Sequence, residues 1–260
     1  SPFLLSTIAF FVTGLSVLIC SKLKKRTCQL CSNPLVLFRD LKYFFISYSI
    51  AVSAAFIPNK NIKICISIGL IIYYCFYVKR TLKKELGIDC ETDETDELIF
   101  SRKICKTQNC DYLLMFSQII FSLLLLIISA HFFVKEIIYF SNILKIHPII
   151  MSLLLSPIAT ELPECFNSVI WTGQSKDTLS ISNITGALVF QSCIPAAIGI
   201  AFTPWIFTTS TLINITLVYV SLIIMYITAI RKKGAITPYN LMLCGVFYLI
   251  YIFYVLKILI

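Results

Sequence analysis

Two carboxylates interrupt a long apolar run at the stretch Ser156–Glu164. Glu161 and Glu164 are three residues apart, so they share one face of a helix. An ionised carboxylate in an apolar medium costs free energy unless a proton, a partner or a cation compensates it. No Lys or Arg occurs between Lys145 and Lys176, so a basic neighbour along this run does not pair with either glutamate. We therefore predict a polar site that takes protons or cations.

Further polar groups share the helix face of the two glutamates. The predicted stripe consists of Pro157, Thr160, Glu161, Glu164, Asn167 and Ser168. Each proline of the stretch lacks the N–H that would bond the carbonyl four residues earlier, which for Pro163 is that of Ala159. We predict a broken helix, whose free carbonyls join carboxylate and hydroxyl oxygens as ligands of a hard cation such as Ca²⁺, or of Na⁺. The alternative is a proline kink whose glutamates pair with basic residues elsewhere.

The composition is that of an integral membrane protein. Of the 260 residues, 58% are hydrophobic and 13% are charged, whereas a soluble domain has about 25% charged residues. The formal net charge of +9 would suggest a nucleic-acid partner in a soluble chain, but here the basic residues cluster at the ends of apolar runs, where they set topology. The expected partners are the lipid bilayer and inorganic cations, with no nucleic acid. The oligomeric state stays open.

Eight apolar runs are long enough to be predicted as membrane helices. They cover residues 2–20, 41–58, 62–79, 112–134, 146–171, 179–202, 205–230 and 239–257. If the loops alternate between the two membrane faces, most of the 22 Lys and Arg residues fall on one face, which is then the cytoplasmic one. The long loop 80–111 belongs to that face and is predicted to be cytoplasmic. Its acidic residues lack the glycine of an EF-hand loop and are expected to be solvated, although a regulatory cation site is the alternative.

The sixth apolar run carries a second set of polar and small residues. Asn183, Ala187 and Gln191 are four residues apart and share a helix face. Gly186 and Ala187 allow another helix to approach closely. Small-residue packing alone explains the glycine and the alanine, but Asn and Gln in a membrane helix usually bond across helices or face a polar site.

The cysteines do not indicate a disulfide framework. Cys28 and Cys31 have the spacing of zinc ligands, but no clear second pair accompanies them, so a chance spacing in a Cys-rich chain is favoured over a structural metal. No bound cofactor is expected.

The stretch Thr160–Glu164 followed by Asn183–Ala187 resembles the second α-repeat of the calcium/cation antiporter superfamily, whose best-known members are sodium/calcium exchangers. Its members carry a Thr-Ser-Leu-Pro-Glu type motif, followed on the next helix by a Gly-Asn-x-x-Gly-Ser-Asn type motif. Thr160 and Glu164 match the family threonine and the ion-binding glutamate, and Asn183 and Gly186 match in the second motif. Three positions depart from the pattern: Glu161 replaces a serine, Ala187 replaces a coordinating serine, and Gln191 stands where a carboxylate or amide is usual.

The resemblance implies an all-α membrane protein with eight of the ten helices of an inverted-repeat transporter fold. Residues 1–80 would be the remainder of the first half, 81–111 the cytoplasmic loop, and 112–260 the second half, with the second repeat at about 150–202. A weak internal match, with Ser6 aligned to Ser192, supports inverted halves. The chain would then begin within the third helix, with the acidic motif of the first repeat outside it.

The resemblance also implies a function, that of a secondary active antiporter exchanging Ca²⁺ for H⁺ or Na⁺, and not an enzyme. The expected cation-binding residues are Thr160, Glu161, Glu164, Asn183 and Gln191, with Glu164 and Glu161 as the ligands of the transported metal ion. The expected supporting residues are Pro157, Ala159, Pro163, Ser168, Gly186 and Ala187. Because Ala187 lacks the hydroxyl of a sodium site while Glu161 adds a group that can carry a proton, proton coupling is favoured. A non-transporting membrane scaffold and an intramembrane enzyme are the alternatives.

Overall fold

Long helices make up most of the chain in the computed structural model, which describes residues 2–23, 26–85, 108–144, 148–231 and 234–259. Within these residues the helices are α1 (Pro2–Lys22), α2 (Pro34–Ser53), α3 (Lys60–Glu85), α4 (Gln108–Leu144), α5 (Pro148–Gly173), α6 (Asp177–Phe202), α7 (Thr209–Arg231) and α8 (Pro238–Leu259). Two short strands, β1 (Leu30–Cys31) and β2 (Ala235–Ile236), pair antiparallel.

Each of the eight apolar runs of the sequence overlaps one of these helices. Five of them, α1, α3, α4, α6 and α7, are long and apolar enough to cross a membrane by length and composition. A crossing by all eight, within a ten-helix fold, stays a prediction. α2 begins at Pro34, earlier than the predicted start at 41, because proline suits the first turn of a helix and Asn33 Oδ1 accepts from the Leu35 N–H at 3.0 Å. Arg39, which precedes the predicted start of this helix, therefore lies within it.

The helix that carries the two glutamates is continuous, so the predicted break is wrong. α5 runs from Pro148 to Gly173 through Pro157 and Pro163. A proline removes one hydrogen bond, and the bonds of the turns on either side can hold the helix together. α6 passes through Pro195 in the same way. A cation at this site would therefore be bound mainly by side chains and not by an unwound backbone.

The chain divides into two compact units. The first consists of Ser1–Arg80 and Pro157–Ile260, and it buries large side chains such as Phe10 and Phe44 completely. The second consists of Thr81–Ser156. Its helix α4 leaves several large apolar side chains more than 60% exposed, as at Phe121 (63%), Leu126 (64%) and Ile127 (62%). Such a surface is suited to lipid. Most of the predicted loop 81–111 lies outside the described residues.

α2 and α6 run side by side in the same direction. Asp40 Oδ2 accepts a hydrogen bond from Thr185 Oγ1 at 2.8 Å, and seven residues further along both helices Ser47 Oγ and Ser192 Oγ are 2.6 Å apart. A seven-residue repeat on both partners is the spacing at which parallel helices pack along a continuous seam. The two polar contacts therefore fix the register of α6, the helix that carries Asn183 and Gln191.

The loops before α2, α6 and α8 meet at one end of the first unit. Strand β1 pairs with β2 there. Arg26 Nη2 lies 2.8 Å from Asp177 Oδ1, and the Cys31 N–H donates to Asp177 Oδ2 at 2.8 Å. At the other end, Lys63 Nζ donates to the Pro204 carbonyl at 2.7 Å. This grouping agrees with the alternation of loops that the sequence predicts, and the cytoplasmic assignment of the first end stays a prediction.

Gly14 lies where α1 contacts the start of α8. A Cβ at this position would be 2.8 Å from the Pro238 carbonyl oxygen and 2.8 Å from Leu241 Cβ. We expect Gly14→Ala to lower the free energy of unfolding by about 1–3 kcal/mol, because the two helices would have to separate. Gly69→Ala is the matched control, since a Cβ there meets nothing within 4 Å and alanine favours a helix by about 1 kcal/mol over glycine. Thermal unfolding in detergent measures the stability of the two variants. A Gly14→Ala protein as stable as the wild type would contradict this close packing.

Candidate functional site

Glu161 is held by the neighbouring helix α6. Its side chain is only 3% exposed, and Gln191 Nε2 donates to both of its carboxylate oxygens, at 3.1 Å and 2.9 Å. Thr160 Oγ1 donates to Glu161 Oε1 at 3.3 Å. These two donors are a neutral amide and a neutral hydroxyl, and they orient the carboxylate. A carboxylate held in this way is a group that can take a proton or a cation.

Glu164 follows on the same face of α5 and is half-buried. Its Oε2 atom is buried and makes no hydrogen bond within the described part of the chain. A buried carboxylate oxygen without a partner is costly, and in native proteins such atoms are normally satisfied by protein, water or an ion. The free oxygen of Glu164 is therefore the atom of this site best placed to accept a proton or to bind a cation.

Asn183 contacts the backbone beneath Glu164 and not its carboxylate. Its Nδ2 atom donates to the Glu164 carbonyl at 2.9 Å and to Ser168 Oγ at 3.1 Å. Further along, Ser168 and Ser180 each donate to the other's carbonyl, at 3.0 Å and 2.9 Å. The Thr172 and Ser180 hydroxyls lie 2.8 Å apart. These contacts join α5 to α6 over several turns and fix the position of the glutamates relative to Gln191.

The supporting positions lie in different surroundings. Pro163 is exposed, whereas Ser168 is fully buried. A Cβ on Gly186 would lie 3.6 Å from the Tyr77 hydroxyl, so this glycine faces α3. Ala187 packs against the main apolar core. The side chains of Pro157 and Ala159 lie outside the described part of the structure.

The predicted cation-binding residues thus come together in part. Hydrogen bonds join Glu161 directly to Thr160 and to Gln191. Asn183, in contrast, contacts Glu164 only at the backbone carbonyl of Glu164. Among the described residues, no three or more His, Cys, Asp or Glu side chains lie together in a way that could hold a metal ion. A cation held here would therefore be bound by two carboxylates with amide, hydroxyl or water oxygens. The binding role of these residues stays a prediction.

A π-helical stretch of α1, Leu5–Ala9, faces the site. Ile8 of this stretch lines a cavity of about 160 Å³ whose opposite wall includes Glu161 and Cys165. Ser221 Oγ of α7 donates to the Ser6 carbonyl at 2.5 Å. π-Helical turns occur frequently at functional sites. Ser6 and Thr7 of this stretch both donate to the Phe3 carbonyl, at 3.0 Å and 2.6 Å. Hydroxyl residues make the same bond in ordinary helices, so they do not distinguish the stretch in the sequence.

Asp40 is a further buried carboxylate that was not predicted from the sequence. This side chain is fully buried. Its Oδ1 atom accepts from Arg39 Nε at 3.0 Å and from the Tyr77 hydroxyl at 3.1 Å, while Oδ2 accepts from Thr185. Leu37 and Phe44 lie three and four residues away on the same buried face, so helical periodicity over 37–44 was the signal that could have placed Asp40 in the core.

The chain is similar to known proteins both in sequence and in fold. The sequence profile described as "Sodium/calcium exchanger protein" matches residues 114–259. Among solved structures, one titled "Crystal Structure of H+/Ca2+ Exchanger CAX" has a similar fold, with a TM-score of 0.70 at 14% identity. The similarity covers 98% of this chain and 62% of that one, so the chain spans less than two thirds of the length of the exchanger it resembles. No curated protein sequence matches.

Proposed function

Because the chain belongs to the sodium/calcium exchanger protein family, we propose that it is a secondary active antiporter that exchanges Ca²⁺ for protons across a membrane. The chain is an integral, multi-pass membrane protein of a transporter family and is not an enzyme. The observation that carries the proposal is the pair of carboxylates on one face of α5, one held by Gln191 and the other with a free buried oxygen.

The two carboxylates have different roles in this proposal. Glu164 is the main cation ligand, because its Oε2 atom is free to coordinate. Glu161 is a second ligand or a proton carrier, oriented by Thr160 and Gln191. The two negative charges of the carboxylates are neutralised either by one Ca²⁺ or by two protons. No net charge is then buried in the membrane in either state, so the protein can exchange one Ca²⁺ for two protons. Asn183 is a positioning residue, since it bonds the backbone of α5.

The choice of protons as the counter-ion rests on the side chains at three positions. Ala187 offers no oxygen where the family pattern has a coordinating serine, which weakens a sodium site at the glutamates. Glu161 adds a titratable group close to Glu164, and close carboxylates favour the retention of a proton between them. The structurally similar CAX is titled a H⁺/Ca²⁺ exchanger, which supports the same choice for this chain. Sodium as the counter-ion is the second candidate.

The proposed topology places the long loop in the cytoplasm. All eight helices would cross the membrane, with the loops before α2, α6 and α8 on the cytoplasmic face because they carry the basic residues. The contact of Arg26 with Asp177 supports the placement of two of these loops on one face. The site glutamates would then lie near the membrane midplane, as expected for a transporter that alternates access between its two faces.

Calcium uptake into vesicles that contain the full-length protein tests the proposal. We expect a pH gradient to drive uptake, and a sodium gradient at constant pH to drive little. In Glu161→Ser the pH dependence should be lost or strongly reduced, because the proposed proton carrier is gone. Uptake that follows sodium alone, or a pH dependence unchanged in Glu161→Ser, would refute proton coupling. The absence of gradient-driven uptake with either ion would favour the scaffold alternative.

A further inference from the structure

The segment between α6 and α7 holds a tryptophan in a strained backbone conformation. Trp205 has a φ of 48°, in the left-handed region that bulky residues rarely adopt. Such a conformation persists only where the surrounding contacts hold it, and strained residues of this kind cluster at ligand clamps and in switch regions. The contacts that Trp205 makes must therefore offset the cost of its backbone conformation.

The indole of Trp205 joins the ends of α2 and α6. Its Nε1 atom donates to the Ala51 carbonyl of α2 at 2.9 Å. Its six-membered ring lies against Gly199 of α6, where an added Cβ would overlap Cζ3 of the ring and lie 3.0 Å from Cε3. The carbonyl of the preceding residue, Pro204, accepts a hydrogen bond from Lys63 Nζ of α3 at 2.7 Å. Three helices thus hold this segment through single contacts that can be released while the helices stay intact.

Trp205 also borders a cavity of about 310 Å³ in the first unit. The walls of this cavity come from α1, α2, α6, α7 and the segment that carries Trp205, and they are mostly apolar, as at Val52 and Ala196. Along α6 the cavity extends as far as Gln191, whose amide donates to both carboxylate oxygens of Glu161. The indole therefore lies between the candidate site and the end of the unit at which α2 and α6 terminate.

We propose that Trp205 is a latch on the path between this end of the unit and the two glutamates. With the indole on Gly199 and bonded to Ala51, the end of the cavity is closed. When the indole leaves both contacts, the backbone of Trp205 relaxes out of the left-handed region and the cavity opens between α2 and α6. The relief of strain offsets part of the lost contacts, which brings the two positions closer in free energy. The role of the latch in ion passage rests on the proposed exchange, whereas its movement does not.

The reactivity of a cysteine in the cavity wall measures this movement directly. Ala196 borders the cavity and is 8% exposed, so Ala196→Cys places a thiol behind the latch. The probe is a methanethiosulfonate that carries a trimethylammonium group, added to the purified full-length protein in detergent. Site-resolved mass spectrometry gives the rate of labelling at residue 196 separately from that of the native cysteines. We expect labelling to be slow when Ala196→Cys is the only substitution.

Three further substitutions, each in the Ala196→Cys background, release the latch in different ways. Trp205→Ala removes the ring, and Gly199→Ala displaces an intact ring with its added Cβ; we expect each to raise the labelling rate at least tenfold. Trp205→Phe keeps an aromatic ring and loses the bond to Ala51. It should raise the rate about two- to tenfold, the change that one hydrogen bond makes to an opening equilibrium. Phe202→Ala is the matched control and should leave the rate unchanged, since Phe202 is 85% exposed at the end of α6.

Unchanged labelling in both Trp205→Ala and Gly199→Ala would overturn the latch, whichever ions the protein carries. If Trp205→Ala does not fold, Gly199→Ala and Trp205→Phe decide in its place. A Trp205→Phe protein that labels no faster than its Ala196→Cys parent would show that the ring fills space without a releasable bond, which also contradicts the proposal. A protein that labels as expected but takes up no Ca²⁺ would retain the latch and contradict the proposed exchange.

Discussion

Calcium uptake by the full-length protein is expected to fall at least a hundredfold when Glu164 is replaced by glutamine. The substitution keeps the shape of the side chain and removes the negative charge from the proposed main ligand. A pair of unit charges about 4 Å apart interacts by about 4 kcal/mol at an effective dielectric constant of about 20, and more when one partner is divalent. Since every 1.4 kcal/mol changes affinity about tenfold, the loss should exceed two orders of magnitude.

Glu136→Gln is the matched control for this measurement. Glu136 lies on α4 and is exposed, so the same chemical change there removes a charge that does not belong to the candidate site. The measurement is the initial rate of Ca²⁺ uptake into vesicles over a range of Ca²⁺ concentrations, with the amount of folded protein checked for each variant. If Glu164→Gln kept half of the wild-type rate at low Ca²⁺, the assignment of Glu164 as the main ligand would be wrong.

Asp40→Ala is expected to have the largest effect on stability, a loss of about 3–5 kcal/mol. The substitution leaves the guanidinium of Arg39, whose side chain is 9% exposed, without its carboxylate partner, and breaking a buried ion pair from one side carries a cost of this size. It also removes the acceptor for the Tyr77 and Thr185 hydroxyls. Thr185→Val removes the hydroxyl that donates to Asp40 Oδ2 and also lies 3.2 Å from the Ile181 carbonyl, and it should cost about 1–3 kcal/mol.

Thermal unfolding of the purified variants in detergent measures these losses. A double replacement, Arg39→Leu with Asp40→Leu, gives a sharper test, because replacing both partners of a buried pair by apolar groups is often close to neutral. We expect the double variant to be more stable than Asp40→Ala. Equal melting temperatures for Asp40→Ala and Thr185→Val would show that the ion pair itself contributes little.

Local periodicity allowed much of the candidate site to be predicted from the sequence. Glu161 and Glu164 share a face because they are three residues apart on a helix. Asn183 and Gln191 are eight residues apart, which is two steps of four, so they lie on one side of the next helix. Two helices joined by the short connection at 174–176 pack against each other. The contact between Gln191 and Glu161 was therefore within reach of sequence reasoning.

Contacts between distant segments could not be predicted in this way. Asp40 and Thr185 are 145 positions apart, and no local pattern in the chain specifies that α2 and α6 are neighbours. The prediction of a break in α5 at its prolines was wrong for a related reason. The sequence shows that a hydrogen-bond donor is missing, but the packing that keeps a helix intact without it depends on its neighbours in space.

The seven-residue seam between α2 and α6 limits how the lengths of these helices can change. Inserting one residue between Asp40 and Ser47 would rotate everything beyond it by about 100° and would turn Ser47 away from Ser192. Inserting seven residues would rotate the remainder by only about 20° from its original direction. A single insertion in this segment of α2 is therefore expected to turn its buried face away from α6. A seven-residue insertion keeps that face towards α6 but moves Ser47 by about 10 Å along it, a constraint on chain length that no single substitution would reveal.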